Sequence, residues 1–193
     1  MLRYTEQEII NGCRNRNPLY EEYLYKMYYN VFLALCARYA KDMPDAKQLL
    51  NDGFVRIFMN IKSFRQEGSF EGWMRKTMVN ICLDYVKSNY LRNSMTMQLS
   101  ESMIEQSSPL TYNEGLQNIE FKELVAMIQL LPAVTRTVFN LFVFEEYTHK
   151  EIAAQLNISE GTSYWHVHHA RSVLQKKIKN KNSENQLYER KRI

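Results

Sequence analysis

The sequence lacks the features of several large classes of protein. No run of apolar residues approaches the about 18 that a membrane-spanning helix needs. The first 15 residues, MLRYTEQEIINGCRN, contain no apolar core of a signal peptide. We therefore expect a cytoplasmic protein without membrane insertion. Convincing alternation of apolar and polar residues is absent as well, so strands are not predicted.

Cysteine is scarce, and its placement excludes two kinds of site. The three residues Cys13, Cys36 and Cys82 are far apart, odd in number and form no CxxC pair. Neither a disulfide framework nor a zinc site is therefore predicted, and we expect small buried hydrophobic side chains. The sequence also offers no nucleophile–base pair, phosphate-binding glycine loop or metal-ligand spacing. An enzyme is not expected, and no cofactor is predicted.

The net charge of +4 is modest but unevenly distributed. From Arg171 to the end there are eight Lys and Arg against two Glu, whereas residues 93–117 contain three Glu and no Lys or Arg. A basic end of this kind indicates a polyanionic partner, although a solvated tail is the alternative.

Apolar residues recur at steps of three and four along most of the chain, which is the period of amphipathic helices. Such stripes run from Tyr20 to Tyr39, from Ala46 to Ile61 and from Met74 to Tyr85. The pattern returns after Phe121. The sequence therefore predicts an all-α fold.

The composition divides these helices into two small domains. The segment 93–117 is rich in Ser, Met, Gln and Asn and contains Pro109 and Gly115, which is typical of a flexible linker. We predict helical domains over residues 1–92 and 118–180, and a charged, frayed tail over residues 181–193.

A helix-turn-helix is predicted within residues 147–174. Thr148 and Glu151 have the spacing of a capping box that begins one helix. Asn157 and Ile158 form the turn, and Ser159 caps the next helix. This patterning is typical of a DNA-binding motif whose second helix enters the major groove. A plain helical hairpin is the alternative.

The second helix of this motif carries three histidines. His166, His168 and His169 suggest a metal site, but no third ligand accompanies His166 and His169 at a suitable spacing. We expect instead that imidazoles on this helix meet phosphates or base edges.

With both halves in view, the chain resembles the sigma-70 family of bacterial RNA polymerase initiation factors, and within it the short extracytoplasmic-function (ECF) type with two domains. The resemblance extends from about Leu19 to Ile178. Besides the helix-turn-helix, three segments carry it in order: YEEYLYKMYYNVFLALCARY (20–39), DAKQLLNDGFVRIFMNIKSF (45–64) and GSFEGWMRKTMVNICLDYVK (68–87). It implies a sigma factor that binds core polymerase and directs promoter recognition, melting and initiation.

The resemblance also assigns roles to residues. The residues that it implies for docking on the β′ clamp helices of the polymerase are Asp45, Ala46, Leu49, Asp52 and Phe54. Recognition of the single-stranded −10 element falls to Phe64, Phe70, Trp73, Lys76, Asn80, Asp84 and Lys87. Duplex −35 recognition, near the β flap, falls to Thr148, Lys150, Glu160, Thr162, Ser163, His166, His169 and Arg171. An anti-sigma factor is a further implied partner.

The −10 assignment has a physical reason in the spacing of five residues. Trp73, Lys76, Asn80, Asp84 and Lys87 follow at steps of 3, 4, 4 and 3, so they share one helix face. That face offers cations for phosphates, an amide and a carboxylate for base edges, and an aromatic ring, as single-stranded DNA requires. The alternatives are packing for the loop aromatics and a solvated face for the polar residues.

Three departures from the family pattern stand out. Lys47, Gln48 and Asn51 occupy positions where relatives carry acidic residues or Gln, which predicts a clamp contact that is weaker or is tuned to the polymerase of the same organism. Gly53 lies inside the same helix. Residues 163–166 replace a usual Lys and Arg with SYWH. Trp165 either packs against a thymine methyl group or lies in the domain core, and we expect the core. A stand-alone helix-turn-helix regulator is the alternative function.

Overall fold

The computed structural model describes residues 4–97 and 119–190. These residues form eight α-helices and one 3₁₀ turn, with no strand among them, which confirms the all-α prediction. They separate into two compact units, one holding the first four helices and the other the last four. No helix of the described ranges is long and apolar enough to cross a lipid bilayer.

The first unit contains four helices whose starts follow from local capping. They are α1 (Glu6–Arg14), α2 (Pro18–Ala37), α3 (Met43–Asn60) and α4 (Phe70–Met97), with the 3₁₀ turn (Ile61–Ser63) after α3. Thr5 closes a capping box with Glu8 at the start of α1. Asn17 and Asp42 cap α2 and α3, each followed by a proline in the first turn. Side-chain oxygens thus satisfy N–H groups that helices leave unpaired.

The core of this unit lies between α2, α3 and α4. Phe32, Phe54, Met74 and Met78 are almost completely buried there. All three cysteines are buried, as the sequence predicts. The sulfur atoms of Cys36 and Cys82 lie 4.0 Å apart in this core, where they join α2 to α4.

Gly53 lies where α3 packs against α4. A Cβ atom at this position would overlap Sδ of Met78 and lie 2.8 Å from its Cε, and Met78 is fully buried. The glycine therefore permits a close helix approach, which offsets its cost of up to about 1 kcal/mol in helix propensity.

Replacing Gly53 by alanine is expected to destabilise the first unit despite the better helix propensity of alanine. Overpacking a tight core costs about 1–3 kcal/mol. Urea unfolding should show a lower midpoint for Gly53→Ala, and the double variant Gly53→Ala/Met78→Ala should lose less than the sum of the single losses. Gly161→Ala is the control, because its Cβ would meet nothing closer than 3.7 Å. Equal stabilisation by both alanines would contradict the prediction.

The second unit also contains four helices, α5 (Ile119–Gln129), α6 (Ala133–Val143), α7 (His149–Leu156) and α8 (Glu160–Arg190). Pro132 precedes α6, as the sequence predicts. The core joins Ile128 and Leu131 to Phe139 of α6 and to Ala170 and Leu174 of α8. Helix α8 packs on both α6 and α7, so the second helix of the motif has one buried side and one open side.

Two helices are longer than the sequence predicts. Helix α4 continues to Met97, past residue 92, and α8 continues to Arg190, through most of the predicted frayed tail. Neither extension contains Gly or Pro, and the second is rich in Lys, Glu and Gln, which favour helix. The rest of the predicted linker, 98–117, lies outside the described residues.

Candidate nucleic-acid interfaces

The polar residues of α4 lie on its open side. Lys76, Asp84 and Lys87 are exposed, and Trp73 and Asn80 are half-buried. The opposite side of the helix is buried in the core, through Met74, Met78, Ile81 and Cys82. Within the described residues, the amide of Asn80 makes no hydrogen bond, so its donors and acceptor are available. The carboxylate of Asp84 lies 3.6 Å from the guanidinium of Arg56 on α3, and both side chains are exposed.

The loop before α4 is built on a cluster of three aromatic rings. Phe64 and Phe70 are buried, and their ring centroids lie 5.6 and 5.9 Å from that of Trp73. Arg14 of α1 donates a 2.6 Å hydrogen bond to the carbonyl of Phe64. Both rings therefore pack the loop onto the helices, which is the alternative named for the loop aromatics, and the part of Phe64 and Phe70 in −10 recognition stays a prediction. Trp73 alone of the three is partly open.

Most of the residues predicted to contact the polymerase lie on the buried side of α3. Ala46, Leu49 and Phe54 have at most 5% of their surface exposed, and their contact with the polymerase stays a prediction. The carboxylate of Asp45 accepts a 2.5 Å hydrogen bond from the hydroxyl of Tyr85. Burial first, and then this bond, raise the pKa of Tyr85 to about 12. Asp45 therefore ties α3 to α4.

The exposed side of α3 is a stripe that the sequence prediction only partly includes. We define the α3 stripe as Gln48, Asp52, Val55 and Met59, which are all exposed. Val55 and Met59 expose 56% and 66% of their surface. The helical periodicity indicates this exposure, because Val55 and Met59 fall outside the apolar series Leu50, Phe54, Ile57 and Ile61. Only Asp52 belongs both to the predicted contacts and to this stripe.

The helix-turn-helix is formed by α7, α8 and the turn between them. The backbone N–H of Thr148 donates to Glu151 and that of Glu151 donates to Thr148, at 2.8 and 3.2 Å. Asn157 adopts the left-handed conformation with φ 54°, which ends α7. Ser159 accepts from the N–H of Thr162 at 3.0 Å. The predicted capping box, turn and second cap are thus confirmed.

Several predicted −35 residues lie at the open edge of this motif. Thr148, Lys150, Glu160 and Arg171 are exposed, and Thr162 is half-buried. The guanidinium of Arg171 lies 5.7 Å from the ring centroid of Phe142, the geometry of a cation–π contact.

Two other predicted −35 residues are tied into the protein. Ser163 is fully buried, with its hydroxyl 2.9 Å from Nδ1 of His149, which places it inside the motif rather than at its open edge. Nδ1 of His166 lies 3.0 Å from the hydroxyl of Thr135 on α6. His166 and His169 are half-buried. Helix α8 thus turns the side chain of Ser163 toward α7 and that of His166 toward α6.

Two aromatic residues of α8 are the most exposed large hydrophobic side chains of the motif. Tyr164 and Trp165 expose 60% and 58% of their surface, so the expectation of a buried Trp165 is wrong. His168 on the following turn is exposed as well. Tyr164 and His168 were not among the predicted contacts, and Trp165 was only the less favoured alternative, although residues 164 and 165 fall outside the buried series Ser163, Val167, Ala170 and Leu174.

Two family models match the chain in the order of its two units. Sigma-70 region 2 matches residues 24–91, and Sigma-70, region 4 matches residues 121–174. Together the two matches cover more than half of the sequence. The chain belongs to the sigma-70 family. It is a sigma factor, a non-enzymatic factor of transcription initiation, and the stand-alone regulator does not account for the region 2 match.

Curated relatives place this sigma factor in the ECF group. The ECF sigma factor SigW of Bacillus subtilis is 24% identical over 160 residues, which are 79% of this chain and 86% of SigW. The ECF sigma factor SigE of Mycolicibacterium smegmatis is 25% identical over 150 residues, covering 78% of this chain and 58% of SigE. The fold is that of the sigma factor RpoE of Bartonella quintana, solved with the anti-sigma factor NepR. The TM-score is 0.52 at 18% identity, over 82% of this chain and 96% of RpoE.

Metal binding finds no support in the described part of this sigma factor. No group of three or more His, Cys, Asp or Glu side chains there could hold a metal ion. The ring of His169 instead stacks on Trp165, with centroids 4.9 Å apart and planes 5° apart.

His166 is expected to make the stability of the second unit depend on pH. Burial, and then the nearby His169, lower its pKa below the usual 6.5. The unfolded chain therefore binds the proton more tightly, so stability is fully present above about pH 6.5 and falls as the pH drops through the lowered pKa. Thermal unfolding at pH 7.5 and 5.5 should show a smaller difference for His166→Asn than for the wild type. The exposed His168→Asn is the matched control, and an equal reduction in both variants would contradict the assignment.

Proposed function

We propose that this sigma factor divides promoter recognition between its two units. The domain of residues 1–92 would bind core RNA polymerase and the −10 element, and the domain of residues 118–180 would bind the −35 element, with residues 93–117 as the linker. The observation that carries the proposal is that each unit places a polar or aromatic helix face on its open side, within the matched regions 2 and 4.

The α3 stripe is the proposed docking surface for the β′ clamp helices. An exposed apolar pair flanked by a carboxylate and an amide has the composition of a binding surface with an apolar centre and a polar rim. Asp52, which accepts a 2.9 Å bond from Gln48, would supply the polar rim. The buried Ala46, Leu49 and Phe54 would support this surface from below, and Asp45 would fix the helix through Tyr85.

The open face of α4 is the proposed binding site for the single-stranded −10 element. Lys76 and Lys87 would neutralise phosphates, while Asn80 and Asp84 would hydrogen-bond base edges. Trp73 would stack on an unpaired base, a contact worth about 1–3 kcal/mol. Phe64 and Phe70 would act indirectly, because their packing holds the loop and the Trp73 ring in place.

The helix-turn-helix is the proposed reader of the duplex −35 element. Its second helix, α8, would lie in the major groove, as in other proteins with this motif. Thr148, Lys150, Thr162 and Arg171 would contact the backbone around the groove, and Glu160 would accept from a cytosine amino group. His166 and His169 would act indirectly, because both pack against the ring of Trp165. The same domain would approach the β flap of the polymerase.

An anti-sigma factor is a further proposed partner. RpoE of Bartonella quintana was solved with the anti-sigma factor NepR. The α3 stripe offers an exposed apolar surface that such a protein could cover until the factor is released. We place this exchange in the cytoplasm, where core polymerase and promoter DNA meet.

The proposal is tested by run-off transcription with core polymerase of the source bacterium on a promoter library. Binding to core polymerase and new start sites that share −35 and −10 elements would support it. Clean folding without core binding, combined with tight binding to duplex DNA alone, would favour the stand-alone regulator instead.

A variant with Lys76→Ala and Lys87→Ala should bind core polymerase normally but show a weaker dependence of promoter binding on salt.

A further inference from the structure

Helix α8 presents two neighbouring aromatic rings on the side that the proposed function places in the major groove. Tyr164 and Trp165 follow directly on the buried Ser163 and are the most exposed aromatic side chains in the described residues. Surface Trp and Tyr of this exposure are typical of binding sites, since their apolar area is otherwise left in water.

Each of the two rings stacks on the ring of a histidine. Tyr164 stacks on His149, with ring centroids 3.7 Å apart, and His149 stacks in turn on Phe142 at 4.4 Å. Trp165 stacks on His169, and its edge meets His166 with centroids 5.0 Å apart. Since His166 and His149 are held by Thr135 and Ser163, the rings are already ordered before binding. Ordering of this kind lowers the entropic cost of association.

The same stretch of α8 lacks the side chains that read guanine. No Lys or Arg occurs from Glu160 to Ala170. Bidentate contacts from Arg or Lys to O6 and N7 are the commonest way to recognise guanine in the major groove. Of the cations nearest to this stretch, Arg171 lies over Phe142, and Lys150 belongs to α7. The exposed side of this stretch carries Glu160, His168 and the two aromatic rings, of which the rings supply the apolar surface.

We infer that Trp165, assisted by Tyr164, is a specificity-determining residue that contacts thymine methyl groups in the −35 element. Thymine alone presents a methyl group in the major groove, at C5, and apolar side chains recognise it by direct contact. The inference rests on the proposed function, because it names the base chemistry read by the same helix. It predicts a −35 element in which thymines carry part of the sequence information through their methyl groups.

The test replaces single thymines by deoxyuridine, which removes only the methyl group. Holoenzyme formed from the full chain and core polymerase is measured on the promoter recovered from the library, with each −35 thymine replaced in turn. Wild-type holoenzyme should lose about four-fold in promoter affinity at one or more positions, which is the worth of one buried CH₂ group. Trp165→Ala should bind thymine and deoxyuridine promoters equally, and Trp165→Met, which keeps an apolar side chain, should retain part of the discrimination.

The controls separate this inference from the proposed function. Val143→Ala removes an apolar side chain that is 41% exposed on α6 and should keep the full thymine preference. Equal binding of wild-type holoenzyme to thymine and deoxyuridine promoters would overturn the inference and leave the proposed function standing. Discrimination that survives in Trp165→Ala and in Tyr164→Ala would overturn it as well. If holoenzyme showed no dependence on any upstream duplex element, the proposed function and the inference would fail together.

Discussion

Replacing Val55 and Met59 by aspartate is expected to abolish binding to core polymerase while the first unit stays folded. Burying an apolar side chain of this size contributes about 1.5–3 kcal/mol, so the pair accounts for a loss of roughly 100-fold or more. The new carboxylates would add the cost of burying unpaired charge at the interface. Affinity for core polymerase, measured by fluorescence anisotropy of the labelled factor, is the direct readout.

Leu19→Asp is the matched control for this experiment. Leu19 is 66% exposed, the same fraction as Met59, but it lies in the first turn of α2 rather than on α3. Its substitution should leave core binding within about two-fold of the wild type, since surface changes away from a contact typically cost under 0.5 kcal/mol. Equal losses in the two variants would show that general surface hydrophobicity is responsible. An unchanged affinity in Val55→Asp/Met59→Asp would place the docking surface elsewhere.

The helices and the caps of this fold could be predicted from the sequence because they depend on residues three and four apart. The capping box of Thr148 and Glu151 is of this kind. The C-terminal ends of α4 and α8 were less predictable than the caps. A composition typical of a linker or tail does not by itself end a helix. Neither stretch contains a Gly or Pro at the point where the prediction ended.

The faces of the helices were harder to predict than the helices themselves. On α3 the family pattern marks positions that matter, but it does not distinguish a side chain that touches a partner from one that supports it. Ala46 and Phe54 are buried, whereas Val55 and Met59 are open. The helical period of the apolar residues does distinguish the two sets, because Val55 and Met59 fall outside the buried series Leu50, Phe54, Ile57 and Ile61.

Contacts between distant parts of the chain were the least predictable. Phe64 is fixed by Arg14, and Gln66 by Gln7, from a helix more than 45 residues earlier in the sequence. Ser163 is buried because His149 reaches it from α7. A sequence pattern describes each of these residues only through its neighbours, so the burial of Phe64 by α1 and of Ser163 by α7 could not be predicted from it.

The second large effect is expected on the open face of α4. Replacing Asn80 and Asp84 together by alanine should reduce open-complex formation by roughly ten-fold to a hundred-fold, since each of the two lost hydrogen bonds to a base contributes about 0.5–1.5 kcal/mol. The fold should tolerate the change. Asn80 makes no hydrogen bond within the described residues, and the pair of Asp84 with Arg56 is exposed and so contributes little to stability. Permanganate reactivity of −10 thymines measures the melted DNA.

The interpretation depends on separating melting from assembly. Affinity for core polymerase should be unchanged in Asn80→Ala/Asp84→Ala, because neither residue lies on the α3 stripe. Glu22→Ala/Asn30→Ala is the matched control, since it removes an amide and the carboxylate of an exposed ion pair on α2. A promoter that is already mismatched over the −10 element should restore much of the lost activity if the residues act in strand separation, because the cost of unpairing is then removed. Equal loss of core binding and melting would mean that the α4 face is structural.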